Sequence, residues 1–358
     1  MLLSQLSTPA LVLDGEKFRK NLKTMSALLA GSDVSLRPHY KSNKCSAIAH
    51  MQIESGAKGM TCAKISEAED LITSGISDVL IANQIVDGSK IRRAAELALM
   101  CRLTVCADSA ENLKELSEAA VRVGSVIHVL IEFDIGMCRC GVTEPEAFVR
   151  LAELARSLPG LEFDGIQAYA GHASHVIDGK ERLACAEKSL AALNALREKL
   201  AEENIPVGTI SGGSTGTSLI VSKLNGIYTE LQAGSYIFMD STYEKLGLPF
   251  ENSLFVISTV VSARPGLTVL DVGAKGLGAD QDEPFCITPD GRRIAADSVE
   301  LNEEHLKLFG EIGLKVGDRV LVVPGHCCTT VNLYDLIYVY EGEKIVDRFA
   351  VTARGKSV

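Results

Sequence analysis

Eight apolar runs rich in β-branched residues punctuate the first two thirds of the chain, and stretches with helical spacing separate them. The runs are "VSLRPHY" (34–40), "GMTCA" (59–63), "DVLIANQI" (78–85), "RLTVCAD" (102–108), "VIHVLIEFD" (126–134), "FDGIQAYAG" (163–171), "VGTISGG" (207–213) and "TELQAGSYIF" (229–238). The intervening stretches, such as "SEAEDLITSG" and "SAENLKELSEAAVRVG", open on serine or a serine–acid pair and close on glycine, the residues that favour helix starts and stops. This alternation predicts a (β/α)8 barrel, an architecture of ~250 residues, with an open doubly wound sheet as the competing arrangement. After about residue 245 the pattern changes. "SLFVISTVVSARPGLTVLDVG", "RVLVVPGH" and "LIYVYEGEKIVDRFAVTARG" carry strand and turn signals with little helix, which predicts a second, mostly β domain. The early run "PALVLDGEKF" has strand character and is a candidate to pair with it. The expected division is a barrel over 12–242 and a β-rich domain from 1–11 and 243–358.

Composition narrows the classes. The chain has 358 residues, 46% hydrophobic and 23% charged, with a net charge of -10. An acidic pI of about 5.3 argues against a nucleic-acid or membrane-surface binder. No apolar run reaches membrane-span length, and the start lacks the basic and apolar regions of a signal peptide, so a cytoplasmic location is expected. The 10 cysteines lack the spacing of a small secreted scaffold and read as reduced thiols.

In a (β/α)8 barrel the chemistry sits where the strands end. Lys41 is expected at the end of the first strand, Arg139 after the fifth, Tyr169, His172 and His175 after the sixth, and "SGGSTGTS" (211–218) after the seventh. "AGSY" (233–236) falls in the eighth. The 211–218 loop suits a phosphate, because Gly212 and Gly213 permit close backbone approach while Ser214, Thr215 and Thr217 offer hydroxyls; a plain strand-to-helix turn is the alternative. A lysine and a phosphate cradle at one barrel mouth point to pyridoxal 5'-phosphate (PLP) carried by the lysine.

The segments "TPALVLD", "RPHYKSNK", "DIGMCRCGV", "GIQAYAGHASH", "SGGSTGT", "TELQAGSYIFMD" and "PGHCCTTVNLYD" occur in an order and spacing that resemble the D-threonine aldolase and D-serine dehydratase family, which has an alanine-racemase-like fold. The resemblance spans nearly the whole chain. It implies that Lys41 carries the cofactor, with Lys44 solvated or supporting from behind. By strand alternation, Arg37, His39 and Lys41 are expected on one interior face, so that cations line the cofactor pocket. The implied cofactor contacts are Lys41, Arg139, Tyr169, Ser211, Gly212, Gly213, Ser214, Thr215, Gly234, Ser235 and Tyr236, with Tyr169 and His175 as catalytic partners.

In "HCC" the resemblance makes His326 and Cys328 ligands of a divalent metal; spacing of two on a strand puts both on one side and Cys327 inward or free. A thiolate favours zinc, whereas manganese, magnesium or cobalt would better suit an aspartate. The acidic stretch "GLGADQDEP" (276–284) reads either as a loop near the pocket or as a solvated turn. The implied activity is retro-aldol cleavage of a D-3-hydroxy amino acid to glycine and an aldehyde. Dehydration to a 2-oxo acid and ammonia is the alternative, favoured by Cys328 and by "GHAS". An amino-acid racemase, with Tyr334, Tyr338 or Tyr340 as a second acid/base, and a non-catalytic PLP-binding protein are further readings. The family also implies a small amino-acid substrate and a homodimer.

Overall fold

The alternation folds as one sheet of eight parallel strands. β1 (Ala10–Asp14) lies outside it; the barrel strands are β2 (Ser35–Leu36), β3 (Met60–Cys62), β4 (Asp78–Gln84), β5 (Arg102–Ala107), β6 (Ile127–Glu132), β7 (Leu161–Ala168), β8 (Thr209–Gly212) and β9 (Glu230–Leu231). Their order is β2-β9-β8-β7-β6-β5-β4-β3, and a parallel bridge between His39 and Thr61 joins the two ends, closing the sheet. The structure is a computed structural model and describes residues 1–224 and 226–358. Val79, Leu80 and Ile81 are buried at consecutive positions, as parallel strands require when both faces are covered.

Local chemistry sets the helix starts. Asp87 accepts hydrogen bonds from the Ser89 and Lys90 amides, and Ser109 accepts one from Asn112; such caps contribute about 1 kcal/mol each. Gly124 closes the second of these helices in the left-handed region at φ 75°. The helix Ile65–Thr73 differs from expectation: Ser66 lies inside it, and the Glu67 carboxylate instead reaches back to the Ala63 and Lys64 amides.

Two strands are shorter than their apolar runs. The first stops at Leu36, two residues before Pro38, which has no amide hydrogen to extend a ladder. Lys41 therefore lies in a single 3-10 turn, Tyr40–Ser42, rather than on the strand. The eighth stops at Leu231, and Ser235–Ile237 forms another such turn.

The second sheet contains β1 together with β10 (Leu254–Arg264), β11 (Leu267–Leu270), β12 (Phe285–Ile287), β13 (Ser298–Leu301), β14 (Leu306–Phe309), β15 (Arg319–Val323), β16 (Leu336–Glu341) and β17 (Lys344–Ala350). β1 pairs antiparallel with β10 and parallel with β16. Val12, Phe255, Ile257, Leu321 and Val323 pack as one buried cluster of this sheet. The chain thus divides into two units: Met1–Met25, Ser42–Ile48 and Ser235–Gly355 form one, and Ser26–Lys41, Ala49–Gly234 and Lys356–Val358 form the other. Among the described residues, no helix is long and apolar enough to cross a membrane.

Candidate active site

Within the barrel unit, the Lys41 turn, the Arg139 loop, the 169–175 loop, the 213–217 loop and Gly234 follow the C-terminal ends of β2, β6, β7, β8 and β9. Parallel topology brings these five segments to one end of the barrel. Lys41 is exposed there, and its amide approaches His39 Nδ1 at 3.3 Å.

Arg37 does not join them. Its guanidinium donates to Glu230 Oε2 at 2.9 Å and Oε1 at 3.0 Å, and to Asp78 Oδ1 at 2.8 Å. Glu230 and Asp78 are the first residues of β9 and β4, so Arg37 fills the opposite end of the barrel. Lys58 also pairs with Glu230, at 2.8 Å. Burial disfavours the Arg37 charge, yet the two carboxylates outweigh it and raise its pKa. The expected row of cations around the pocket is corrected: Pro38 and the turn at Tyr40 break the alternation, and buried carboxylates claim Arg37. Lys44 is not solvated either; it is 8% exposed at φ 45°.

The 211–218 loop is shaped by positions that exclude a side chain. A Cβ on Gly212 would lie 2.0 Å from the Ala168 carbonyl oxygen, one on Gly213 2.8 Å from Leu231 Cδ1, and one on Gly216 1.8 Å from the Ser174 carbonyl oxygen. Gly213 also sits at φ +68°. Ser214 and Thr217 face each other, with Oγ to Oγ1 at 3.2 Å, and Ser174 Oγ donates to Ser214 Oγ at 2.8 Å. Bare glycine backbone beside buried hydroxyls fits a phosphate. Ser211 lies deeper, where its Oγ accepts from Gln232 Nε2 at 2.9 Å.

Arg139 sits in a loop more exposed than its apolar sequence suggests, with its guanidinium 5.6 Å from the Tyr169 ring centroid. Its Nη2 is 3.8 Å from Glu132 Oε1. Glu132 is buried, and burial pushes its carboxyl up. His172 Nε2 is 3.2 Å from Ser189 Oγ, while His175 is exposed. Tyr236 belongs to a core, packed against the Phe250 ring at 5.7 Å.

The other unit holds the "HCC" pair. β15 ends at Val323, and Cys327–Val331 is a short helix with His326 at its N-cap, so the strand placement expected for the pair is corrected. Pro324 stops the strand, and the helix begins three residues on. His326 and Cys328 nevertheless lie close enough to shift each other's protonation, while Cys327 is fully buried.

Within the acidic stretch 276–284, Asp280 carries no sequence signal of its own. Its Oδ2 lies 2.7 Å from His326 Nδ1, and its Oδ1 accepts from Thr329 Oγ1 at 2.6 Å. The loop is laid flat by glycines: a Cβ on Gly325 would lie 1.9 Å from the Asp282 carbonyl oxygen, and one on Gly278 2.0 Å from Thr329 Oγ1. A carboxylate on Nδ1 fixes the imidazole and leaves Nε2 for a metal. Burial works against the His326 imidazolium, but Cys328 and Asp280 outweigh it and raise it to about 9. The Cys327 hydrogen bond, with those of His326 and Ser235, holds Cys328 well below the usual thiol range despite burial. Cys328 Sγ lies 3.2 Å from Ser42 Oγ and 3.5 Å from Ser235 Oγ. An oriented imidazole beside a stabilised thiolate fits a divalent metal. Tyr334 donates to the Gly276 carbonyl at 2.9 Å.

Comparison with known proteins agrees with this architecture. The family model "Alanine racemase, N-terminal domain" matches residues 13–242, and a serine dehydratase domain model matches 253–340. The chain belongs to the D-threonine aldolase and D-serine dehydratase family, with the alanine-racemase-like fold. It is an enzyme of that PLP-dependent lyase family. D-threonine aldolase from Arthrobacter sp. is 39% identical over 363 residues, covering 99% of this chain and 94% of that protein. The crystal structure of D-threonine aldolase from Filomicrobium marinum matches with a TM-score of 0.94 at 36% identity, covering 100% and 98% of the two chains. D-threo-3-hydroxyaspartate dehydratase from Delftia sp. HT23 matches with a TM-score of 0.86 at 26% identity, covering 98% of each chain. A mutant D-threo-3-hydroxyaspartate dehydratase in a metal-free form is also similar, with a TM-score of 0.87 at 25% identity, covering 98% of each chain.

Proposed function

We propose that this chain cleaves D-3-hydroxy amino acids of the D-threonine type into glycine and an aldehyde. Lys41 carries PLP, and His326 and Cys328 hold a divalent metal. The observation that carries the reading is 39% identity to a D-threonine aldolase over 99% of the chain. Support from the site comes from the side-chain-free cradle at Gly213 and Gly216 and from the Asp280–His326–Cys328 arrangement.

When bound, the cofactor supplies the electron sink for the pair released as the Cα–Cβ bond breaks. The 213–217 loop holds the phosphate with backbone amides and the Ser214, Thr215 and Thr217 hydroxyls. Arg139, steadied over the Tyr169 ring, offers its guanidinium to the cofactor's 3-oxygen or the substrate carboxylate. Tyr169 walls the pocket beside it. His175 takes the proton from the substrate's β-hydroxyl as the carbonyl of the aldehyde forms. Gly234 contributes backbone near the phosphate. Asp280 keeps the His326 ring oriented for the metal.

Zinc as the metal is supported by the thiolate and imidazole donors. The 10 free cysteines suit a reducing compartment, in keeping with a cytoplasmic location, and a homodimer follows the family expectation.

A dehydratase is the second reading, favoured by the Cys328 ligand. The deciding experiment incubates PLP-loaded protein with D-threonine, with and without a chelator. Glycine plus acetaldehyde, lost on chelation, supports the aldolase. Ammonia plus 2-oxobutanoate replaces it with the dehydratase.

A further inference from the structure

Tyr40 precedes Lys41, is fully buried, and donates its hydroxyl to Asp70 Oδ2 at 2.6 Å. Asp70 lies on the helix Ile65–Thr73, and its other oxygen accepts from Lys356 Nζ at 2.8 Å. The same tail is anchored at the start of that helix, where the Val358 carbonyl oxygen accepts from the Ser66 amide at 3.1 Å and the Ser66 hydroxyl at 2.6 Å. Upstream, the Ala353 amide donates to the Lys44 carbonyl at 2.9 Å, and Thr352 Oγ1 accepts from the Ser46 amide at 3.2 Å. The segment 352–358 thus ties down the chain on both sides of Lys41.

We infer that Asp70 is a positioning residue, joining Tyr40 to Lys356 so that the 352–358 segment sets the Lys41 turn and with it the hold on the cofactor. The inference rests on Lys41 being the cofactor lysine. The physical reason is local. A 3-10 turn of three residues has little internal stability, so its conformation is set by the groups that tether it. A phenol donating to a carboxylate is a strong tether, and the side chain that follows inherits its orientation.

The test uses the holoenzyme and three variants, Tyr40→Phe, Lys356→Met and the double variant. PLP release on dilution, thermal stability and the lysine labelled by borohydride are measured for each. Tyr40→Phe should release cofactor roughly 10-fold faster or more, the scale of one lost hydrogen bond to a charged group. Lys356→Met should do so about 2-fold, since its side chain is 39% exposed. The double variant should fall short of the product of the two, because both act through Asp70. Wild-type release rates in both single variants, a fully multiplicative double, or release that only tracks lost thermal stability would each overturn the inference. Label on a residue other than Lys41 in the wild type would instead overturn the cofactor assignment itself.

Discussion

Gly216→Ala places one methyl group where the structure leaves no room. The new Cβ would lie 1.8 Å from the Ser174 carbonyl oxygen, 2.7 Å from its carbon and 3.1 Å from its Cα. All three are backbone atoms, so no rotamer relieves the clash. Restoring even a 3.0 Å contact requires the 213–217 loop and the segment before His175 to part by about 1.2 Å. That displacement breaks the 2.8 Å hydrogen bond from Ser174 to Ser214 and moves His175 with it. Overpacking of this kind costs ~1–3 kcal/mol of stability. Misplacing a catalytic group by ~1 Å costs on the order of 100-fold in rate. Gly216→Ala should therefore lose about 100-fold in kcat/KM on D-threonine, with weaker PLP binding and a lower Tm. Gly179→Ala is the control: nothing lies within 4 Å of its Cβ position, and kinetics and Tm should stay near wild type. Wild-type turnover and PLP affinity in Gly216→Ala would refute the reasoning that this loop is held apart from its neighbour only by a missing side chain.

Further outcomes follow from the same contacts. His326→Ala and Cys328→Ala should lose bound metal, read by elemental analysis, while keeping PLP; Cys327→Ala should keep both. Asp280→Ala should weaken metal affinity by roughly 10–100-fold, since it removes the carboxylate that orients His326. Arg37→Met leaves Glu230 and Asp78 without their buried partner and should destabilise the fold by about 3–5 kcal/mol in chemical denaturation. Burial alone would raise the Glu230 carboxyl, but Arg37 and Lys58 outweigh it and lower it from 4.5 to about 2. Its folded pKa lies below its unfolded one, so the stability it contributes is full above pH 4.5 and is lost as pH falls toward about 2. Denaturation followed between those limits should show that acid loss in the wild type and much less of it in Arg37→Met.

The barrel was legible because its signal is local: apolar runs such as "DVLIANQI" and the caps at Asp87 and Ser109 write strands and helix starts directly into the sequence. Element ends were less so. "VSLRPHY" reads as a seven-residue strand, but Pro38 withholds an amide and the ladder stops at Leu36, which turns Lys41 off the strand. Alternation puts Arg37 in the pocket, whereas its partners come from residues 78 and 230, far off in the sequence. The "HCC" spacing shows the pair but not its geometry, because a period of two does not reveal a helix that begins at Cys327. Asp280 carried only an acidic-loop signal; its role depends on Gly278 and Gly325 allowing two backbones to touch.

The central claim is that Lys41, in the turn after the first barrel strand, holds the cofactor. Borohydride reduction of the PLP-loaded protein, followed by peptide mass mapping, tests it most directly. A pyridoxyl group is expected on Lys41 and none in Lys41→Ala. A label on Lys44, or an undiminished label in Lys41→Ala, would contradict it.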